Sequence, residues 1–223
     1  AALARRPACG PSGILPTVPG PPPPPRRLSR QRPSRAALRT VLGELEALDV
    51  AIYEAVARSP TPTLDRDLGR LSDIADHSKL WAAVAAVMAA GGTRSGRRGA
   101  VVGLAAIGVA STAVNLGFKP FLRRRRPDRE GHGVPAARHV DMPGSTSFPS
   151  GHSASAFAFA TAAGHEYPLA SLPLHIMAGT VAYSRIHTGV HYPGDVAAGS
   201  LIGAVAGGIV AAAAERRRPR RRR

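Results

Sequence analysis

The chain has 223 residues, 30 of them Lys or Arg against 14 Asp or Glu, for a net charge of +16. That length fits one domain with tails, and the single cysteine, Cys9, excludes an intrachain disulfide and a thiolate metal centre. Aromatic residues amount to 4% while Ala and Gly abound, which suits helices packed closely in lipid better than a water-soluble core.

So large a positive charge requires an anionic partner. The basic runs flank apolar segments, and no zinc-finger, RRM or helix-turn-helix pattern is present. No nucleic-acid partner is expected, and anionic lipid with positive-inside anchoring accounts for the charge.

In chain order, residues 1–35 form a low-complexity tail rich in Pro and Arg, with an unbroken proline run from Pro21 to Pro25. It is expected to be disordered or polyproline II, a linker first and at most a weak SH3-type ligand. It lacks an apolar core long enough for a signal peptide, and the chain opens on Ala rather than Met, as a trimmed or a misannotated N-terminus would. From Ala36 to Arg58 the residues Leu38, Val41, Leu42, Leu45, Leu48, Ile52 and Val56 recur at helical spacing. Glu44, Glu46, Asp49 and Glu54 make this helix a poor bilayer span, so it is expected at the interface or packed on the bundle. Pro60 and Pro62 end it.

Apolar segments follow at 80–92, 100–118, 153–164, 169–183 and 196–214, the second and last uncharged over 19 residues and so long enough to cross a bilayer. Gly199, Gly203, Gly207 and Ala211 recur every four residues in the last segment, a close-packing face assigned to the core rather than to dimerisation. Residues 36–214 thus form one membrane domain, followed by an Arg-rich tail over 215–223. The expected fold is all-α, an integral membrane bundle of about four to six membrane helices. The oligomeric state is left open.

Three clusters carry the chemistry. Lys119 is followed by six residues and Arg126-Pro127; Pro149-Ser150-Gly151-His152 comes next; then Ser184-Arg185, five residues, His191, three residues, Asp195. They supply fixed cations, two imidazoles, a hydroxyl beside a glycine amide and one carboxylate. That set can hold a phosphate and attack it: cations neutralise the oxygens, one imidazole attacks phosphorus, a carboxylate orients it, and the other imidazole protonates the leaving oxygen. Pro-Ser-Gly-His alone is weak, and its weight comes from lying between the other two clusters. No HExxH or paired-aspartate pattern is present, so neither a metal nor any other cofactor is expected.

These clusters resemble the KX6RP, PSGH and SRX5HX3D motifs of the type 2 phosphatidic acid phosphatase (PAP2) family, without a substitution. The resemblance runs from about Ser59 to about Ala214. The stretches Leu71–Trp81 and Tyr183–Val196 look like an actinobacterial subgroup sometimes fused to a lipid kinase domain, and no kinase domain is expected within these residues. The resemblance implies a PAP2/haloperoxidase-like bundle with the active site at one membrane face. It implies His191 as nucleophile forming a phosphohistidine, Asp195 as its orienting carboxylate and His152 as general acid. Lys119, Arg126 and Arg185, with Ser150 and the Gly151 amide, are implied to bind phosphate. Arg123, Arg124 and Arg125 are read as ordinary surface anchoring. Asp73, Asp76 and His77 receive no chemistry.

The parity of the segments agrees. If 100–118, 153–164, 169–183 and 196–214 each cross once, all three motifs emerge on the same side. The arginines of the loop 93–99 and of the tail 215–223 mark the other side as cytoplasmic, which turns the active site outward. The expected function is that of a multi-pass cell-membrane phosphatase, metal-independent, acting on a phosphate monoester or pyrophosphate of a lipid such as phosphatidic acid, phosphatidylglycerol phosphate or a polyprenyl pyrophosphate. A vanadium-dependent haloperoxidase-like enzyme and a non-catalytic membrane scaffold are the alternatives.

Overall fold

The computed structural model describes residues 34–218. The expectations for the Pro-rich tail and for most of the arginine tail fall outside the described residues. Seven α-helices lie within them: α1 Arg35–Arg58, α2 Pro62–Ile74, α3 Lys79–Ala90, α4 Arg94–Thr112, α5 Gly151–Glu166, α6 Pro168–His187 and α7 Pro193–Arg216. No strand occurs among the described residues.

Helix α5 is the axis of the bundle, packed against α4, α6 and α7. Ala154, Ala156, Ala158, Phe159, Ala160, Ala162 and Ala163 have no exposed surface, so every face of α5 is covered. A helix apolar all round belongs inside. The large aliphatics point the other way: Val101, Leu104 and Val109 on α4, Leu169, Leu172 and Ile176 on α6, and Leu201, Val205 and Ile209 on α7 are all exposed. Small residues inside and large ones outside are what lipid requires, because a lipid tail solvates Leu as well as another Leu does, while small side chains let helix backbones approach.

The glycine face of α7 is where this closeness is greatest. A Cβ on Gly199 or Gly203 would collide with the carbonyls of Ser150 or Ala154, and one on Gly207 would sit 2.7 Å from Ala158 O. The periodic small residues therefore lie in the core of the bundle, against α5. Two segments are long and apolar enough to cross a bilayer: Arg94–Phe118, 25 residues, and Pro193–Arg216, 24 residues. The first is α4 with its continuation, which widens into a π-helical turn over Ala113–Phe118.

One helix departs from the sequence reading. The amphipathic helix α2 was not anticipated, because Pro60 and Pro62 read only as a stop. Pro62 in fact sits in the first turn of a helix, where its missing N–H costs nothing. Helix α1 has the expected apolar stripe, but Leu38, Leu42, Leu45 and Leu48 stay exposed, and only Tyr53 and Ala57 near its C-terminal end are buried. A buried guanidinium ties this end down. Arg138 Nε donates to Asp65 Oδ1 at 2.8 Å and Nη1 to Val56 O at 2.9 Å, and His187 Nε2 lies 2.9 Å from the same Asp65 oxygen.

The α5–α7 contact yields a stability prediction. Gly203→Val is expected to lower the thermal midpoint in detergent sharply, by the equivalent of at least ~1–3 kcal/mol of overpacking. Gly208→Ala, on a face with nothing within 4 Å, is expected to leave it unchanged.

Candidate active site

The C-terminal ends of α4 and α6 and the N-terminal ends of α5 and α7 meet at one end of the bundle. Lys119 follows the π turn, whose wide i to i+5 bond runs from Lys119 N to Val114 O at 3.0 Å. Ser150 caps α5, Arg185 lies in the last turn of α6, and Asp195 lies in the first turn of α7. Ser150 N donates to Asp195 O at 3.0 Å, and His191 N donates to Arg185 O at 3.1 Å, so the second and third motifs are in direct contact.

His191 is 2% exposed and Asp195 has no exposed surface. The two faces of the His191 ring differ. Nε2 lies 3.3 Å from Arg126 Nη1, on the cationic side. Nδ1 lies 3.3 Å from Ser147 Oγ and 3.5 Å from Asp195 Oδ2. The second separation is long for a hydrogen bond. Ser147, fully buried, closes it, because its hydroxyl donates to Asp195 Oδ2 while its oxygen faces Nδ1. Asp195 also caps α7 by accepting Tyr192 N at 2.9 Å. Burial holds the imidazole at about 4, far under the ordinary 6.5; the Asp195 contact opposes this, and the Arg126 and Arg185 charges add to it. This direction favours the neutral imidazole, the form that can attack phosphorus.

The cations converge from three elements. Lys119 Nζ donates to Ser145 Oγ at 3.1 Å, and Arg126 Nε donates to Ser145 O at 2.9 Å. Arg126 Nη1 also donates to Val190 O at 2.9 Å, which fixes the guanidinium beside the His191 turn. Arg185 is 1% exposed; it donates to Ser72 Oγ, and its buried Nε has no hydrogen-bond partner among the described residues. Burial and the nearby Arg126 charge lower the Lys119 pKa. The Ser150 hydroxyl is buried and engaged as the cap of α5, accepting from Ser153 N at 3.4 Å and from Ser153 Oγ at 3.0 Å. Both bonds are accepted by its oxygen, so the hydroxyl's own proton is left to donate.

Three site residues escaped the sequence reading. Ser147 is one. Arg124 is the second: surface anchoring does not describe it. Its Nη1 donates to Asp49 Oδ2 at 2.7 Å and to Asp195 Oδ1 at 3.0 Å, and the guanidinium carbon stands 4.2 Å over the Tyr192 ring. Arg123 and Arg125 are exposed. Asp76 is the third, with Oδ1 2.6 Å from His152 Nε2. An arginine run shows no residue apart, and only the folded chain singles out Arg124. Among the described residues, no group of His, Cys, Asp and Glu is arranged to hold a metal.

Comparison with known proteins agrees with this geometry. Residues 99–219 match the PAP2 superfamily. The chain is 36% identical over 187 residues to the decaprenylphosphoryl-5-phosphoribose phosphatase of Mycobacterium tuberculosis (strain H37Rv), covering 84% of this chain and 99% of that one. It is 33% identical over 158 residues to the enzyme of the same name in Mycolicibacterium smegmatis, covering 69% of this chain and 80% of that one. Among solved structures it resembles the transmembrane PAP2-type phosphatidylglycerolphosphate phosphatase of Bacillus subtilis, with a TM-score of 0.62 at 23% identity over 80% of this chain and 90% of that one. Aquifex aeolicus LpxE gives a TM-score of 0.57 at 26% identity, over 73% of this chain and 94% of that one.

The fold is that of a membrane-embedded phosphatase. The chain belongs to the PAP2 superfamily and is a phosphoric monoester hydrolase of lipid phosphates.

Two outcomes follow from the site's electrostatics. In a histidine-selective NMR titration, His191 is expected to stay neutral through the physiological range and to take up its proton only near pH 4. Arg124→Gln is expected to lower kcat by roughly tenfold to a hundredfold with little change in KM, because it frees Asp195 rather than removing a substrate contact. Arg123→Gln, at the exposed neighbouring position, serves as the control expected to match the parent.

Proposed function

We propose that this phosphatase removes the terminal phosphate of a prenyl-linked phosphosugar through a phosphohistidine on His191. The observation that carries the chemistry is the asymmetry of the His191 ring, with Nε2 toward the guanidinium of Arg126 and Nδ1 toward Ser147 and Asp195. A proton on Nδ1 leaves a lone pair on Nε2 among the cations, where a phosphate would bind. Nε2 attacks phosphorus, the bond from phosphorus to the ester oxygen breaks, and His152 gives its proton to that oxygen. Water then attacks the phosphohistidine with His152 as base, releasing inorganic phosphate and restoring Nε2.

Lys119, Arg126 and Arg185 hold the three phosphoryl oxygens, with the Gly151 amide at the N-terminus of α5 as a further donor. Their charge is in place before the reaction, so transition-state charge is met without reorganisation. Asp195 stabilises the imidazolium-like nitrogen that forms, and Asp76 orients His152. No step requires a metal. The choice of substrate rests on the mycobacterial relatives, which the chain matches along nearly their whole length in one case. The loop and tail arginines support an outward-facing site with a cytoplasmic C-terminus in a multi-pass protein.

Phosphate release from detergent-solubilised protein in EDTA, on prenylphosphoryl-ribose 5-phosphate, phosphatidic acid and phosphatidylglycerol phosphate, tests the reading. Release is expected to be fastest on the ribosyl lipid. His191→Ala is expected to abolish it with the fold intact, and near-parent activity in that variant would falsify the nucleophile. Faster release from either glycerophospholipid would reassign the substrate.

A further inference from the structure

A cavity of about 190 Å³ opens beside His152, and polar side chains make up a large part of its mixed lining. It is lined by Ser78, Ser111, Asn115 and Ser155, together with Ala75, Lys119, Gly151 and His152. Its place in the bundle is unusual for polar side chains. Ser111 and Asn115 lie two turns and one turn before Lys119 on the segment Arg94–Phe118, one of the two spans, and Ser155 lies one turn inside α5 from Gly151. The cavity thus extends from the phosphate-binding end toward the bilayer interior.

Polar groups at that depth are costly unless they are used. Packing alone does not account for them. The hydroxyls of Ser111 and Ser155 face each other across α4 and α5 at 3.5 Å, too far for a good hydrogen bond, and they border an open space rather than closing it. The π turn over Ala113–Phe118 adds to the case. It winds the chain wider than an α-helix, and it sets Asn115 and Lys119 on the same cavity wall. Such turns tend to mark functional positions.

Geometry assigns the cavity's occupant. His152 protonates the leaving oxygen, so the leaving group lies on the His152 side. Its lipid tail must run toward the bilayer, which is the direction the cavity takes. The first atoms beyond the ester oxygen therefore meet hydroxyls and an amide, where a diacylglycerol would present acyl esters and chains.

We propose that Ser78, Ser111, Asn115 and Ser155 form a subsite for a polyhydroxylated leaving group, a sugar ring placed between the scissile phosphate and the lipid tail. The proposal rests on the phosphatase reading above and deepens it. Asn115 supplies an amide donor and acceptor for vicinal hydroxyls, and the serines supply hydroxyls that can turn to suit either role. A site built to bond hydroxyls rejects an analogue that lacks them, because its own polar groups are left unpaired.

The test compares prenylphosphoryl-ribose 5-phosphate with its 2,3-dideoxy analogue in mixed micelles. The parent protein is expected to favour the hydroxylated lipid in kcat/KM by about 10- to 100-fold or more. Asn115→Leu is expected to bring that ratio close to one, and Ser111→Ala to lower it part of the way. The ratio is insensitive to the fraction of folded protein, so a poorly folding variant does not mimic the result. A parent ratio near one, or a ratio unchanged in both variants, overturns the subsite while leaving the phosphatase reading intact. Failure of the parent to release phosphate from either lipid overturns the prenyl-phosphosugar reading and the subsite with it.

Discussion

A single carboxylate with no exposed surface organises this end of the molecule. Asp195 stands at the start of a membrane-length helix, where an isolated charge would be strongly disfavoured. It is held by partners from across the chain: the Arg124 guanidinium, the Ser147 hydroxyl, the Tyr192 amide and the His191 ring. Arg124 comes from the loop after α4, and it carries a second ion pair to Asp49 on α1. Meeting the needs of one buried charge therefore draws α1, the α4 loop, the segment before α5 and the start of α7 to one point. The orientation of the His191 ring is a by-product of that convergence, since the same contacts fix which ring nitrogen faces the cations.

The convergence depends in turn on how closely α7 approaches α5. Ser150 N reaches Asp195 O because Gly199, Gly203 and Gly207 present no side chain to the α5 backbone. A bundle in lipid gains little from burying Leu, so it is built from Ala, Gly and Ser inside and leaves its large aliphatics to the acyl chains. The active site inherits that economy. Its side chains are placed by helix ends and backbone contacts rather than by a bulky core.

Much of this was legible in the chain. The motif order, the spans around 100–118 and 196–214 and the small-residue face of α7 follow from residue type and spacing, because each is a local pattern. What was not legible depends on tertiary neighbours. Arg124 differs from Arg123 and Arg125 only in facing Asp195 and Asp49. Ser147 sits among Ser145 and Thr146 with nothing to set it apart. Asp76 lies 76 positions before His152 and meets it only in the folded chain. Helix α2 is a different kind of miss: Leu64, Leu68 and Leu71 carry helical spacing, and two prolines were read as an ending when one opens the next helix.

The central claim is that phosphate passes through His191. The most direct measurement is rapid-quench trapping with substrate labelled in the scissile phosphate, held at high pH to preserve phosphoramidates, followed by peptide mapping. The account predicts a transient, acid-labile label on the peptide containing His191, formed and lost at rates compatible with turnover. A label on the His152 peptide instead, or efficient turnover with water attacking the substrate directly and no labelled enzyme at any time, would contradict it.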